Sequence, residues 1–140
     1  MARKTWLPLL LLLCTPGLMA MGFGDGQAPT RIPEPQANYR VLLVDQEGGR
    51  VELTEFSVDG QTFMMGGLGQ GQAAVPMDKI KAVEIANQGG KLKARIILTQ
   101  GEPVELVLDG NLKATGRTSF GNYRIPLAEV RRVEVRELVR

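Results

Sequence analysis

From Tyr39 onward the chain keeps one rhythm: a short apolar run, often with every second residue polar, then a break containing glycine. Residues 39–45 are apolar and β-branched, and residues 51–58 alternate apolar with polar before Asp59-Gly60. Shorter runs at 62–65 and 73–75 flank a glycine cluster, and further runs follow at 92–99, 104–108, 112–118, 123–125 and 132–135. Alternation over four to eight residues, bounded by turn-forming pairs, marks antiparallel strands. No stretch of the domain carries a sustained helical period with caps. The pattern predicts an all-β fold.

The strands come in two matching sets. Val75-Pro76-Met77-Asp78-Lys79-Ile80-Lys81-Ala82-Val83-Glu84-Ile85 reappears fifty residues on as Ile125-Pro126-Leu127-Ala128-Glu129-Val130-Arg131-Arg132-Val133-Glu134-Val135. Upstream, Val51-Glu52-Leu53 matches Val104-Glu105-Leu106, and 41–44 matches the apolar run 95–98. The order of elements predicts two tandem β repeats of about fifty residues, 39–88 and 91–140. Pro76 and Pro126 cannot donate to a ladder and so end a strand. Behind them, apolar residues three apart (Met77 and Ile80, Leu127 and Val130) predict one helical turn with both side chains inside. Strongly bent strands joined by such a corner resemble small SH3-like and Sm-like barrels. The expected architecture is a small antiparallel sandwich or a pair of such barrels.

The first 22 residues follow another logic. Arg3 and Lys4 precede an apolar run through Leu13, Pro16-Gly17 break it, and Ala20 and Gly22 are small. These are the three parts of a secretory signal peptide, with cleavage after Ala20 or Gly22. The run is short of the roughly 20 residues that span a bilayer, so no stable membrane span is expected after cleavage. Cys14 would be a lipid-attachment site only with a small residue before it, and Leu13 is bulky. The expected location is periplasmic or secreted. Residues 23–38 carry Pro29, Pro33 and Pro35 among polar residues and read as an extended tether to a β domain over 39–140.

Composition then narrows the chemistry. The formal charge of +2 resides in Arg3 and Lys4, so the exported remainder is neutral and offers no general attraction to nucleic acid. That remainder has neither His nor Cys. A Ser-His-Asp triad, an imidazole base, a thiolate nucleophile, thiolate or imidazole metal sites and haem attachment are therefore excluded. No cofactor or metal is expected, and no enzyme activity. Glu52 with Glu105, and Glu84 with Glu134, hold matching positions, but each lies between apolar residues of an alternating strand and reads as solvent-facing.

Two surfaces remain as candidates. The glycine cluster 66–72, with Met64, Met65 and Leu68, reads as a flexible hairpin tip whose methionines suit an adaptable contact surface. Lys79, Lys81, Lys91, Lys93 and Arg95 form a basic stretch that suits an anionic polymer or glycan. Interleaved aromatics, which nucleic-acid binding would use, are missing. The sequence thus predicts a non-catalytic structural or protein-interaction module of the bacterial cell envelope that contacts another envelope protein. A polyanion binder using the basic stretch is the alternative.

Overall fold

The computed structural model describes residues 30–139; the signal segment, Cys14 and the tether up to residue 29 lie outside the described residues. Ten strands follow one another: β1 (Asn38–Asp45), β2 (Arg50–Val58), β3 (Phe63–Leu68), β4 (Gly71–Pro76), β5 (Ile80–Gln88), β6 (Lys91–Leu98), β7 (Val104–Leu108), β8 (Lys113–Arg117), β9 (Asn122–Pro126) and β10 (Val130–Val139). They join into one antiparallel sheet of order β4-β3-β7-β6-β5-β10-β1-β2-β8-β9, curled so that its inner face encloses the core. The all-β reading is met, with no α-helix among the described residues.

The alternation seen in the sequence sorts the faces. Val41 and Leu43 of β1, Leu53 and Phe56 of β2, Ile96 of β6 and Leu106 of β7 are all buried in the same apolar cluster. Full burial of such a side chain stabilises by about 1.5–3 kcal/mol. Between β4 and β5, and again between β9 and β10, the proline corner forms a 3-10 turn, Met77–Lys79 and Leu127–Glu129. Each turn closes with the Ile80 or Val130 N–H donating to the carbonyl of Met77 or Leu127. Met77, Ile80, Leu127 and Val130 are buried, as their spacing requires. The strands that follow start at Ile80 and Val130, earlier than the apolar pattern suggests, because pairing with Leu98 and Asp45 begins there.

Two features depart from the sequence reading. The glycine cluster is not a loose tip. Gly66 and Gly67 lie in β3, Gly71 and Gln72 in β4, and only Gly69 and Gln70 turn between them. Gly69 has φ 60°, which suits the first position of a tight two-residue hairpin turn. Gly66 is required for another reason: a Cβ there would sit 2.7 Å from the Val107 carbonyl oxygen. At Gly116 a Cβ would sit 2.8 Å from Leu53 Cβ. Both glycines let two strands close up.

The second departure is in β2, whose alternation slips between Thr54 and Ser57. Glu55 there adopts φ 50°, a left-handed conformation that costs a non-glycine residue about 1–2 kcal/mol. Its N–H donates to Asn38 Oδ1 at 2.7 Å, and its carboxylate meets Arg117 Nε at 2.8 Å. The slip lets Leu53 and Phe56 both point inward although they are three residues apart.

Candidate interaction surface

The β3–β4 hairpin forms one end of the sheet, and residues 63–76 contain no charged side chain. Met64 and Gly66 face the core, so their neighbours Phe63, Met65 and Gly67 face out. Ala74 lies beside Met65, Pro76 beside Phe63, and Val107 of β7 beside Gly67. Met65 is 48% exposed and Val107 39%; Leu68, also exposed at the end of β3, has the parity of Met64 and Gly66 and lies on the other face. Isolated exposed apolar residues are ordinary, whereas a contiguous set marks a contact surface.

Beneath this face lies a groove of about 550 Å³, lined by Phe63, Met65, Val107 and Leu112 among others. That volume falls in the range of ordinary ligand clefts. Two Asp-Gly connectors bound it. Asp59, at φ 50°, donates its N–H to the Lys113 carbonyl at 2.9 Å. Asp109 accepts the Asn111 N–H on Oδ1 at 2.8 Å. Both Asp residues line the groove and no Lys or Arg does. An apolar floor edged by two acidic side chains suits an apolar side chain flanked by a cation.

The other end of the sheet is polar and paired. Glu55 of β2 meets Arg117 of β8, Ser57 shares a hydrogen bond of 3.0 Å with Thr115, and Arg117 also reaches Asn122 at 3.1 Å. The Asn122 side chain of β9 in turn donates to the Thr30 carbonyl at 3.3 Å, so the segment before β1 lies against that edge. Phe120, at the β8–β9 tip, is that hairpin's only exposed large apolar side chain among the described residues.

The residues singled out from sequence therefore separate. Met65 and Leu68 are on the surface, but Met64 is 2% exposed and packs in the core. Adjacent strand residues point to opposite faces, so the two methionines could not share a surface. The basic stretch is not one cluster either. Lys91, Lys93 and Arg95 line the outer face of β6, whereas Lys79 sits on the 3-10 turn and Lys81 at a bulge beside Ile80. Lys79 and Lys91 lie at opposite ends of the β5–β6 hairpin, roughly 25–30 Å apart at strand rise. Arg95 is engaged by acids: Glu105 and Glu84 lie directly opposite on its two neighbouring strands, and Glu84 lies 3.6 Å away. Glu84 also pairs with Arg132, which holds Glu134 at 3.1 Å. Glu84 and Glu134 thus belong to a charge ladder across the outer face.

Sequence reasoning missed Phe63, Val107, Leu112, Asp59 and Asp109 as groove residues. The available signal was the pair of Asp-Gly dipeptides fifty residues apart. Among the described residues no three acidic side chains converge to hold a metal ion.

The model of a family described as an uncharacterised protein matches residues 35–137, most of the chain, and the chain belongs to that family. No curated protein and no solved structure matches it.

Proposed function

We propose that this member of an uncharacterised family is an exported, non-catalytic protein-interaction module of the bacterial cell envelope. Its binding face is the outer surface of β3 and β7 with the groove below. The partner offers an apolar segment with a cationic flank. The observation that carries this reading is the contrast between the two ends of one sheet: one is paired by ions and overlaid, whereas the other has an edge hairpin without charge beside an acid-lined groove that no described residue covers.

A duplicated architecture sharpens the contrast. Replacing each strand by its counterpart (β1 with β6, β2 with β7, β3 with β8, β4 with β9, β5 with β10) and reading the sheet order backwards returns the same order. Gly66 and Gly116 match at the same offset as the proline corners, as do Asp59-Gly60 and Asp109-Gly110. The hydrogen bond from Met77 N–H to the Thr62 carbonyl has its counterpart from Leu127 to Leu112. These correspondences support two repeats that exchange their first two strands, forming paired SH3- or Sm-like blocks, β4-β3-β7-β6-β5 and β10-β1-β2-β8-β9. Equivalent scaffold positions then hold Met65 in one block and buried Thr115 in the other. The scaffold does not require an exposed methionine there, which supports a contact role for it.

The split of the basic residues and the engagement of Arg95 by acids weigh against the polyanion alternative. The test is retention from envelope extract on the immobilised protein. Met65→Asp and Val107→Asp should each reduce recovery of a discrete protein partner at least tenfold, with folding intact by circular dichroism. Lys79→Glu with Lys81→Glu, which touch neither β3 nor β7 in the sheet order, should leave it unchanged. Retention of an anionic polymer that vanishes in high salt and depends on the lysines would replace this reading with the polyanion one.

A further inference from the structure

The backbone at the β4 edge carries a second inference, independent of the envelope location and of the groove's occupant. In β3–β4 the pair Thr62–Met77 is hydrogen-bonded, Met77 N–H to Thr62 carbonyl at 3.0 Å. Hydrogen-bonded pairs alternate along an antiparallel ladder. The pairs Met64–Val75, Gly66–Ala73 and Leu68–Gly71 are therefore the bonded ones. Gln72, Ala74 and Pro76 turn their backbone groups the other way, to the open side of the sheet. That edge offers N–H groups at 72 and 74 and carbonyls at 72, 74 and 76.

This row is complementary to itself. If two β4 strands run antiparallel with Ala74 opposite Ala74, the two Ala74 residues exchange both of their hydrogen bonds. Each Gln72 N–H then faces the carbonyl of Pro76 on the other strand, the one backbone group that a proline can still contribute. No charge opposes the approach, because residues 63–76 carry none. Natural edge strands are ordinarily protected by charges, by proline within the ladder or by a covering segment. At β9 the neighbouring strand brings Lys113 and Arg117, β9 itself contains Arg124, and Thr30 lies against Asn122. Among the described residues nothing covers β4, so with β9 protected, edge pairing closes after two copies and does not continue into a fibre.

We propose that β4 pairs with β4 of a second copy of this chain, centred on Ala74, giving a two-fold dimer with a continuous sheet. The pairing sets the two Met65 faces side by side, because Ala74 neighbours Met65 in register.

The test is sedimentation velocity of the full chain over a hundredfold concentration range. A reversible monomer–dimer equilibrium is expected. Ala74→Lys places like charges opposite each other across the junction and should weaken dimerisation at least tenfold, with an unchanged far-ultraviolet circular dichroism spectrum. Ala74→Pro removes the outward N–H without breaking a hydrogen bond to β3 and should weaken it in the same direction, so the test survives if one variant fails to fold. Ala74→Cys, with Cys14→Ser in the same chain, should oxidise to a covalent dimer, since only a second copy brings position 74 beside itself. A chain that stays monomeric at every concentration overturns the proposal. So does a dimer indifferent to both Ala74→Lys and Ala74→Pro, or one that leaves the position 74 cysteines unlinked.

Discussion

Ile80 and Val130 each follow a 3-10 turn with the side chain in the core, while Lys79 and Arg131 beside them face water. Ile80→Asp or Val130→Asp would strip an apolar contact and bury an unpaired charge, at a cost of several kcal/mol, on the order of 3–5. A domain with about 5–15 kcal/mol in hand should then melt far lower or fail to accumulate. Lys79→Ala and Arg131→Ala should stay within about 0.5 kcal/mol of the parent. Thermal melts of the four variants check this, and a reversed ranking would turn the corner inside out. Tyr39 and Tyr123 add a pH dependence. Burial raises both phenols above their ordinary value, and the carboxylates of Asp78 and Asp45 push the same way. The folded state therefore holds these protons longer than the unfolded chain. Their contribution is complete below the unfolded phenol value of about 10 and is lost as pH rises through the folded values. The melting temperature should drop more steeply above pH 10 in the parent than in a Tyr39→Phe, Tyr123→Phe double variant. Equal slopes would mean that neither phenol is held in the folded state. At this scale the sequence was a good guide to facing, because period two and the three-residue step of the corner each have one geometric solution. It failed for Met64 and Met65, where residue type suggested a shared role and the pleat put them on opposite sides.

At the scale of elements, the strands and corners were legible because both depend on local steric rules: β-branched alternation, and a proline that ends pairing. What escaped were features set by a neighbour distant in sequence. Gly66 and Gly116 read as loop residues by composition, yet each marks a strand pressed against another whose identity only the fold supplies. The bulge at Glu55 left a trace, since the apolar positions step from Leu53 to Phe56 rather than to residue 55. Its support, Asn38 and Arg117, comes from β1 and β8, and no local pattern announces them. The basic stretch illustrates the opposite error. Lys79 to Arg95 is dense in sequence, but a hairpin lies between its members. The turn spreads them along two strands, and cross-strand acids neutralise the arginine.

For the whole molecule, the sheet is one curled layer whose two ends have been treated differently. One is sealed by ion pairs, a buried hydroxyl pair and the segment ahead of β1; the other presents Met65 and Val107 over an acid-lined groove. Residues 23–140 have no net formal charge, so on the proposed reading specificity rests on the groove and the β4 edge rather than on long-range attraction. The candidate site was half legible in the sequence. Met65 could be picked out as an adaptable apolar residue, but Val107 and Asp109 join it only because β7 pairs with β3. Hydrogen–deuterium exchange of the protein, alone and with the partner recovered on it, addresses the central claim most directly. Amides of 63–68 and 104–112 should exchange more slowly in the complex, while those of 113–126 keep their rates. Protection centred on 91–98 or on 113–126, with the β3 and β7 amides unmoved, would contradict the account.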